Sequence, residues 1–340
     1  MPTLTDEHIL LSHGSGGKLA HDLVEAVFLP RFSNAALDVL DDGALVGDIP
    51  AGRLAVSTDC FVVDPVFFPG GDIGRLAICG TVNDVAMTGA QPRWLTAGFI
   101  LEEGLPVADL VRIADSMAAA AKEAGVTVVA GDTKVVPRGH ADRIFITTAG
   151  FGILPDGITP TGTGARPGDA ILASGTLGDH EICLMTLRAG LSLDGEVKSD
   201  VAPVNGLVRA LADDAIPLHA LRDPTRGGVA TVLGEIASAS GVAIRLDEER
   251  IPLRPGVRGA CEIMGFDPLY LASEGRMIAV VPEADADRAL RILRTHAAGA
   301  DACRIGEVRE GPPGRVTLRT SIGGERIVDM LTGEMLPRIC

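Results

Sequence analysis

The sequence predicts an α/β (α+β) protein of two domains, and three observations carry that expectation. Apolar strand-like runs alternate with helical stretches through both halves of the 340 residues, a length comfortable for two ordinary domains. A stretch rich in Pro, Gly and Thr and without periodicity, "PDGITPTGTGARPGD" at 155–169, interrupts the alternation. Gly 42 and Pro 21 are high while aromatics are 3%, which favours an enzyme with many tight turns over an aromatic-rich binding module. The expected units are residues 1–155, residues 165–330 and a tail at 331–340.

In the first half "RLAVSTD" (53–59) reads as a strand, "DIGRLAICGTVNDVAMTGA" (72–90) as a helix and "RWLTAGFIL" (93–101) as a strand. A helix at 107–125 and strands at 126–133 and 143–154 complete one α/β layer. Beyond the junction come "AILASG", helical segments near 179–189 and 203–213, and a helix opening after "DPTRGG". Strands near 242–246 and 276–281 and a helix over 283–297 follow. "RVTLRTSIGGERIVDM" from 315 reads as a late hairpin, and "LTGEMLPRIC" carries no periodic pattern, as expected of a mobile tail.

The formal net charge of −15 argues against nucleic acid as a partner, because a phosphate backbone demands clustered Lys and Arg. The first residues lack a signal-peptide pattern and the apolar runs are too short to span a bilayer, so neither membrane nor export is expected and a cytoplasmic location is. Six cysteines are scattered without a C-x-x-C pair, which signals neither a zinc site nor a disulfide framework. Cys60, Cys79, Cys183, Cys261 and Cys303 lie in apolar stretches and read as small buried hydrophobes, whereas Cys340 ends the chain. A prenylation box would put that cysteine four residues from the end, so Cys340 is open to a disulfide, a metal or plain fraying.

Four acidic punctuations stand at strand ends or helix turns of the first half: "DDG" (Asp41, Asp42), "STD" (Asp59), "VNDV" (Asp84) and "AGDT" (Asp132). Any one of them caps a turn without further meaning. Four together, with few basic residues nearby, are the hard oxygen donors that Mg²⁺ takes when it is bound with nucleotide phosphates. "HGSGGK" (13–18) fails as a P-loop, since its glycine spacing is wrong and Leu19 stands where Ser or Thr would bind the metal. It is read either as a glycine-rich arm that brings Lys18 to a phosphate or as a disordered leader. In "DPTRGG" a helix opens on Gly227 and Gly228, whose N–H groups form an anion site beside Thr225 to which Arg226 adds a charge; a helix cap explains Asp223 or Thr225 alone but does not need the Arg-Gly-Gly. Lys134, after "AGDT", and Glu274, in "ASEGR", are the candidate proton movers, each with a surface ion pair as the plain alternative.

Together "DDGA", "STD", "VNDVAMTGAQPRWL", "AGDTKVV", "DPTRGGVATVLGEIA", "ASEGR" and the terminal "PRIC" resemble the HypE family of hydrogenase maturation proteins, from about residue 10 to Cys340. That family lies in the PurM-like superfamily of aminoimidazole ribonucleotide synthetase, selenophosphate synthetase and thiamine-phosphate kinase. The resemblance implies two α/β domains, with the N-terminal halves of a homodimer pairing into a β-barrel-like core and ATP bound between domains at the dimer interface. It implies that a partner carbamoyltransferase, HypF, loads a carbamoyl group on Cys340. This chain would then dehydrate it with ATP to a thiocyanate, and the cyano group would pass through an iron-carrying HypC–HypD complex to a [NiFe] hydrogenase. Mg²⁺ would be held by some of Asp42, Asp59, Asp84 and Asp132, and Lys134 or Glu274 would take the nitrogen proton. The alternatives are a small-molecule synthetase or kinase of the same superfamily, and a non-catalytic thiol carrier or metal-binding scaffold.

Overall fold

The computed structural model describes residues 6–40, 43–47, 49–155, 157, 162–191 and 197–330. Chain order begins with a helical run of α1 (Gly17–Leu23), a π-helical turn and α2 (Leu29–Phe32). It continues through β1 (Arg53–Phe61), a small hairpin of β2 (Phe67–Phe68) and β3 (Gly71–Asp72), α3 (Ile73–Met87), β4 (Gln91–Glu102), α4 (Val107–Ala124), β5 (Thr127–Val136) and β6 (Ile144–Leu154). These four long strands form one sheet in the order β1-β6-β4-β5, antiparallel except for the parallel β4–β5 pair.

Asp72 starts α3 by accepting hydrogen bonds from Gly74 N at 2.7 Å and Arg75 N at 3.0 Å, which satisfies two of the orphan donors of the first turn. The helix lies unusually close to the sheet because β6 offers glycines beneath it. A Cβ on Gly150 would stand 2.7 Å from Thr81 Cγ2, and one on Gly152 would stand 2.5 Å from Val85 Cγ1. That approach carries Asp84 over β1, where Ser57 Oγ donates to its carboxylate at 2.8 Å. α3 and α4 bury one face of the sheet; the other leaves Leu54, Val56 and Ile100 exposed.

The second sheet is built from β7 (Asp169–Ala173), β8 (Ala220–Arg222), β9 (Ala243–Asp247), β10 (Ile278–Pro282), β11 (Cys303–Arg309), β12 (Val316–Arg319) and β13 (Glu325–Ile327). Its order is β13-β12-β9-β11-β7-β10-β8, with one parallel pair, β12–β9. The intervening helices are α5 (Asp179–Arg188), α6 (Asn205–Asp213), α7 (Gly228–Ser240), α8 (Pro255–Met264) and α9 (Glu283–Leu293). β7 and β10 are apolar along their length because both of their faces are covered. Ile171, Ile278 and Val280 meet α7, while Leu172, Ala279 and Val281 meet α6 and α9. Ala86 and Met87 at the end of α3 join the second of these clusters, so the two sheets share a packed seam.

Two expectations are corrected. The glycine-rich segment is not a disordered leader: it turns through a 3₁₀ helix at Leu11–Gly14 that packs on β5, then continues as helix. Of the five cysteines expected to be buried, Cys79, Cys183 and Cys261 are, Cys303 is half-buried, and Cys60 is exposed. Cys60 lies on the edge strand β1, one residue past Asp59, and the two-residue alternation turns it to the uncovered face.

Candidate functional site

At the seam between the sheets lies a cavity of about 350 Å³. β1 supplies Asp59 and Cys60, α3 supplies Asp84, the loop before α7 supplies Asp223, Thr225 and Arg226, and Glu274 closes the far wall. Cys60 N donates to Asp59 Oδ1 at 2.8 Å, and Arg226 Nη2 stands 3.6 Å from the same oxygen. Burial raises the carboxyl pKa of Asp59 and of Asp84 above the usual carboxylate range, and the neighbouring Asp84 raises that of Asp59 further. Asp223 is pushed up to about 7 by burial first, then by the charges of Asp84 and Asp59. Three carboxylates thus resist ionising together, the condition of a site that calls for a cation.

By sequence alone Asp223 is a candidate helix cap. The structure gives the N-cap position to Gly227, and no side chain caps the helix. The carboxylate is released to the cavity, and the spacing of "DPTRGG" carries no signal that separates the two roles. The left-handed backbone of Gly227 (φ +75°) and Gly228 (φ +58°) makes the sharp turn into α7. A Cβ on Gly228 would lie 2.6 Å from the carbonyl oxygen of Leu269 and 2.7 Å from that of Leu271, so glycine is required there. Gly228 N donates to the carbonyl oxygen of Thr225 at 2.9 Å, and Thr225, the mostly exposed Arg226 and Thr231 of the first turn of α7 line the cavity.

Asp132 and Lys134 lie elsewhere. They line a second cavity of about 510 Å³ between β5 and the N-terminal helical run, with Gly16 and Gly17 at its mouth and Val24, Phe28 and Leu37 on its apolar wall. Lys134 Nζ is 3.4 Å from Asp132 Oδ2. Lys18 does not reach into this space; it points to solvent and pairs with Asp22 at 2.5 Å. β1 and β5 are opposite edges of a four-stranded sheet, so Asp59 and Asp132 are separated by about 14 Å, three interstrand spacings. One chain therefore brings together Asp59, Asp84, Thr225, Arg226 and Glu274, leaves Gly227 and Gly228 in the turn behind them, and sets Asp132 and Lys134 apart. Asp42 and Cys340 lie outside the described residues.

The donors fit Mg²⁺ in kind. Asp59, Asp84 and Asp223 are hard oxygen ligands whose carboxyl pKa values are raised first of all by burial, a cost of ionisation that a bound cation would offset. Among the described residues no three His, Cys, Asp or Glu side chains are placed to hold a metal by themselves, so a bound ion would draw its remaining ligands from phosphate oxygens and water.

Residues 40–154 match the family described as AIR synthase related protein, N-terminal domain, and residues 166–319 match its C-terminal domain. Over 331 residues, 97% of this chain and 94% of the relative, the sequence is 52% identical to the carbamoyl dehydratase HypE of Cupriavidus necator. The chain belongs to the HypE family. A crystal structure of the hydrogenase maturation protein HypE in complex with ATP superposes with a TM-score of 0.94 at 49% identity, covering 97% of this chain and 99% of that one. HypE in a HypE–HypF complex superposes with a TM-score of 0.79, also at 49% identity, over 93% of this chain and 100% of that one. The HypE fold of two AIR synthase related domains thus spans both sheets and the carboxylate cavity between them. Among the described residues no helix is long and apolar enough to cross a membrane.

Proposed function

We propose that this chain is an ATP-dependent carbamoyl dehydratase acting on a carbamoyl group carried by the thiol of Cys340. The observation that supports this most is the meeting of Asp59, Asp84 and Asp223 with the N-terminus of α7 and Glu274 in one cavity. Cation donors and an anion-binding helix end side by side suit a metal-bound triphosphate. Binding of ATP and HypF by close relatives of the same fold supports the same reading.

The chemistry requires the amide oxygen of the S-carbamoyl group to become a leaving group. Attack of that oxygen on the γ-phosphorus breaks the bond to the bridging oxygen of ADP and forms an imidate phosphate. Loss of both nitrogen protons and cleavage of the C–O bond then yield the thiocyanate, phosphate and ADP. Arg226 and the N–H groups of α7 would hold the transferring phosphoryl group, and Arg226 would exchange its Asp59 partner for phosphate oxygens. Glu274, almost fully buried at the cavity wall, would accept a nitrogen proton. Mg²⁺, bound by Asp59 and Asp84 together with Asp223 and Asp42, would supply charge neutralisation for the phosphates.

Asp132 and Lys134 fit this scheme through pairing of chains. The uncovered sheet face exposes Leu54, Val56 and Ile100, and each edge strand has an unpaired rim. A homodimer that closes two such sheets into a barrel-like core would set one chain's β1 beside the partner's β5. The acidic and lysine side chains of one cavity would then meet the carboxylates of the other, with the glycine-rich arm and Lys18 over the nucleotide. HypF as the carbamoyl donor and an iron-carrying HypC–HypD complex as the acceptor complete the proposed cycle. A carrier thiol that must stay reduced and a need for ATP suit the cytoplasm.

Calorimetric titration with Mg-ATP tests the site itself. Wild type is expected to bind, and Asp84→Asn to lose most of that affinity. Equal binding by the two would move the phosphates elsewhere.

A further inference from the structure

Asn83 is one residue from Asp84 on α3, yet it faces away from the carboxylate cavity and into the seam, where it is almost completely buried. Its Nδ2 donates to the carbonyl oxygen of Ala202 at 3.0 Å and to that of Glu274 at 3.3 Å, and its Oδ1 accepts from Val204 N at 2.8 Å. A planar amide with two donors and one acceptor is the side chain that satisfies all three backbone groups; a carboxylate could serve only one. On the other side of the Glu274 Cα, Glu274 N donates to Asp200 Oδ1 at 3.0 Å, and Asp200 Oδ2 stands 3.5 Å from Arg276 Nε. Gly275 completes the grip, because a Cβ there would be 2.7 Å from Ala202 N. Both polar groups of the Glu274 backbone are therefore held, one of them by a helix of the other domain.

We propose that Asn83 is a positioning residue that fixes Glu274 relative to Asp84 and Asp59 across the domain seam, and that Asp200 is its counterpart on the C-terminal side. The proposal rests on the role given above to Glu274 as proton acceptor. Because Asn83 and Asp84 are consecutive on one rigid helix, any shift of Asn83 moves the metal-side carboxylate with it. The distance between base and phosphoryl site is thereby set by a single amide rather than by the tolerance of two packed domains.

A double-mutant cycle on the full-length chain with a carbamoylated Cys340 tests this, the readouts being single-turnover loss of water by intact mass and KM for ATP. Asn83→Ala is expected to slow the step by roughly 10²-fold with KM for ATP changed by less than about twofold. In a Glu274→Gln background the same substitution should add less than about threefold, because its route of action has already been removed. Equal slowing by Asn83→Ala in both backgrounds, or a rise in KM that accounts for the loss, would overturn the proposal. Asn83→Asp, isosteric but unable to donate to either carbonyl, carries the cycle if the alanine variant unfolds; failure of both to fold would reduce Asn83 to a stability residue and overturn the proposal as well. Glu274→Gln as fast as wild type sinks the reading of Glu274 itself, and an additive cycle with a slow Glu274→Gln sinks only the positioning role.

Discussion

Arg226 Nη2 stands 3.6 Å from Asp59 Oδ1, joining a loop of the C-terminal domain to the edge strand of the N-terminal sheet across the cavity mouth. The guanidinium is mostly exposed and has no hydrogen bond among the described residues, so the pair is a loose counter-ion arrangement of little worth to stability. In the proposed ATP complex a phosphate oxygen would be a better partner for Arg226, and a cation a better one for Asp59. Arg226→Ala should therefore raise KM for ATP about tenfold while leaving the melting temperature within a degree or two. Steady-state ATPase assays and thermal denaturation check the two halves.

The carboxylates set a pH dependence with a defined sign. Asp223 is raised to about 7 in the folded chain from its ordinary value of 3.8, so the folded state binds its proton more tightly than the unfolded state does. The penalty for ionising it is absent below the unfolded value and fully present above about pH 7, so the nucleotide-free chain loses stability as pH rises through that window. Glu181, raised to about 7, and Asp200, raised to about 6, both by burial first, act in the same direction. Melting temperatures of the metal-free chain should fall from pH 5 to pH 8, and less steeply for Asp223→Asn. Added Mg²⁺ should stabilise wild type more at pH 8 than at pH 5, because the ion gains only where the carboxylates are charged.

Gly228 has a backbone angle of φ +58° and two carbonyl oxygens within 2.7 Å of any Cβ placed there. Gly228→Ala is expected to cost roughly 1–3 kcal/mol and to weaken nucleotide binding, since the turn that aims the α7 N–H groups must distort. Gly241, at the other end of α7, has a left-handed backbone but nothing within reach of a Cβ. Gly241→Ala should cost only about 1 kcal/mol and leave binding intact. Chemical denaturation with binding measured on the same samples separates the two sites.

If the active site draws Asp84 from one chain and Asp132 from the other, two inactive variants should rescue each other. Unfolding and refolding Asp84→Asn with Asp132→Asn as an equimolar mixture should restore about a quarter of wild-type activity, because half the dimers are mixed and one of their two sites is intact. Activity that stays at the level of either variant alone would mean that both carboxylates serve the same chain's site. Val56→Lys, on the exposed sheet face, should shift the sedimentation pattern toward monomer and abolish the rescue.

Much of this architecture was legible from periodicity. The helix expected over 72–90 forms over Ile73–Met87, and that expected over 107–125 forms over Val107–Ala124, because long apolar faces outweigh local ambiguity. The hairpin expected from 315 is the β12–β13 pair. α8, which opens on Pro255 and closes on Gly265, went unread because its buried residues are only Val257, Ala260 and Cys261, too few for a visible stripe. β11 was missed for a similar reason: its "CRIGEVR" alternates weakly and is shifted by a bulge at Arg304–Gly306. Asp59, Asp84 and Glu274 stand out in the sequence because each follows or interrupts an apolar run, and Arg226 because it precedes a glycine-opened helix; the structure brings the four to one cavity. Asp223 and Asn83 were not assigned there, since their meaning depends on which domain faces them across the seam. That Asp132 belongs to a different cavity follows from strand order, which alternation along a chain does not encode.

The most direct test of the account is the intact mass of the full-length chain carrying a carbamoyl group on Cys340, before and after Mg-ATP, beside Cys340→Ala. The account predicts an adduct on wild type only, and the loss of one water from it when Mg-ATP is added, abolished in Asp84→Asn. An adduct that persists unchanged with Mg-ATP would make the chain a thiol carrier, and the carboxylate cavity would then serve some other reaction.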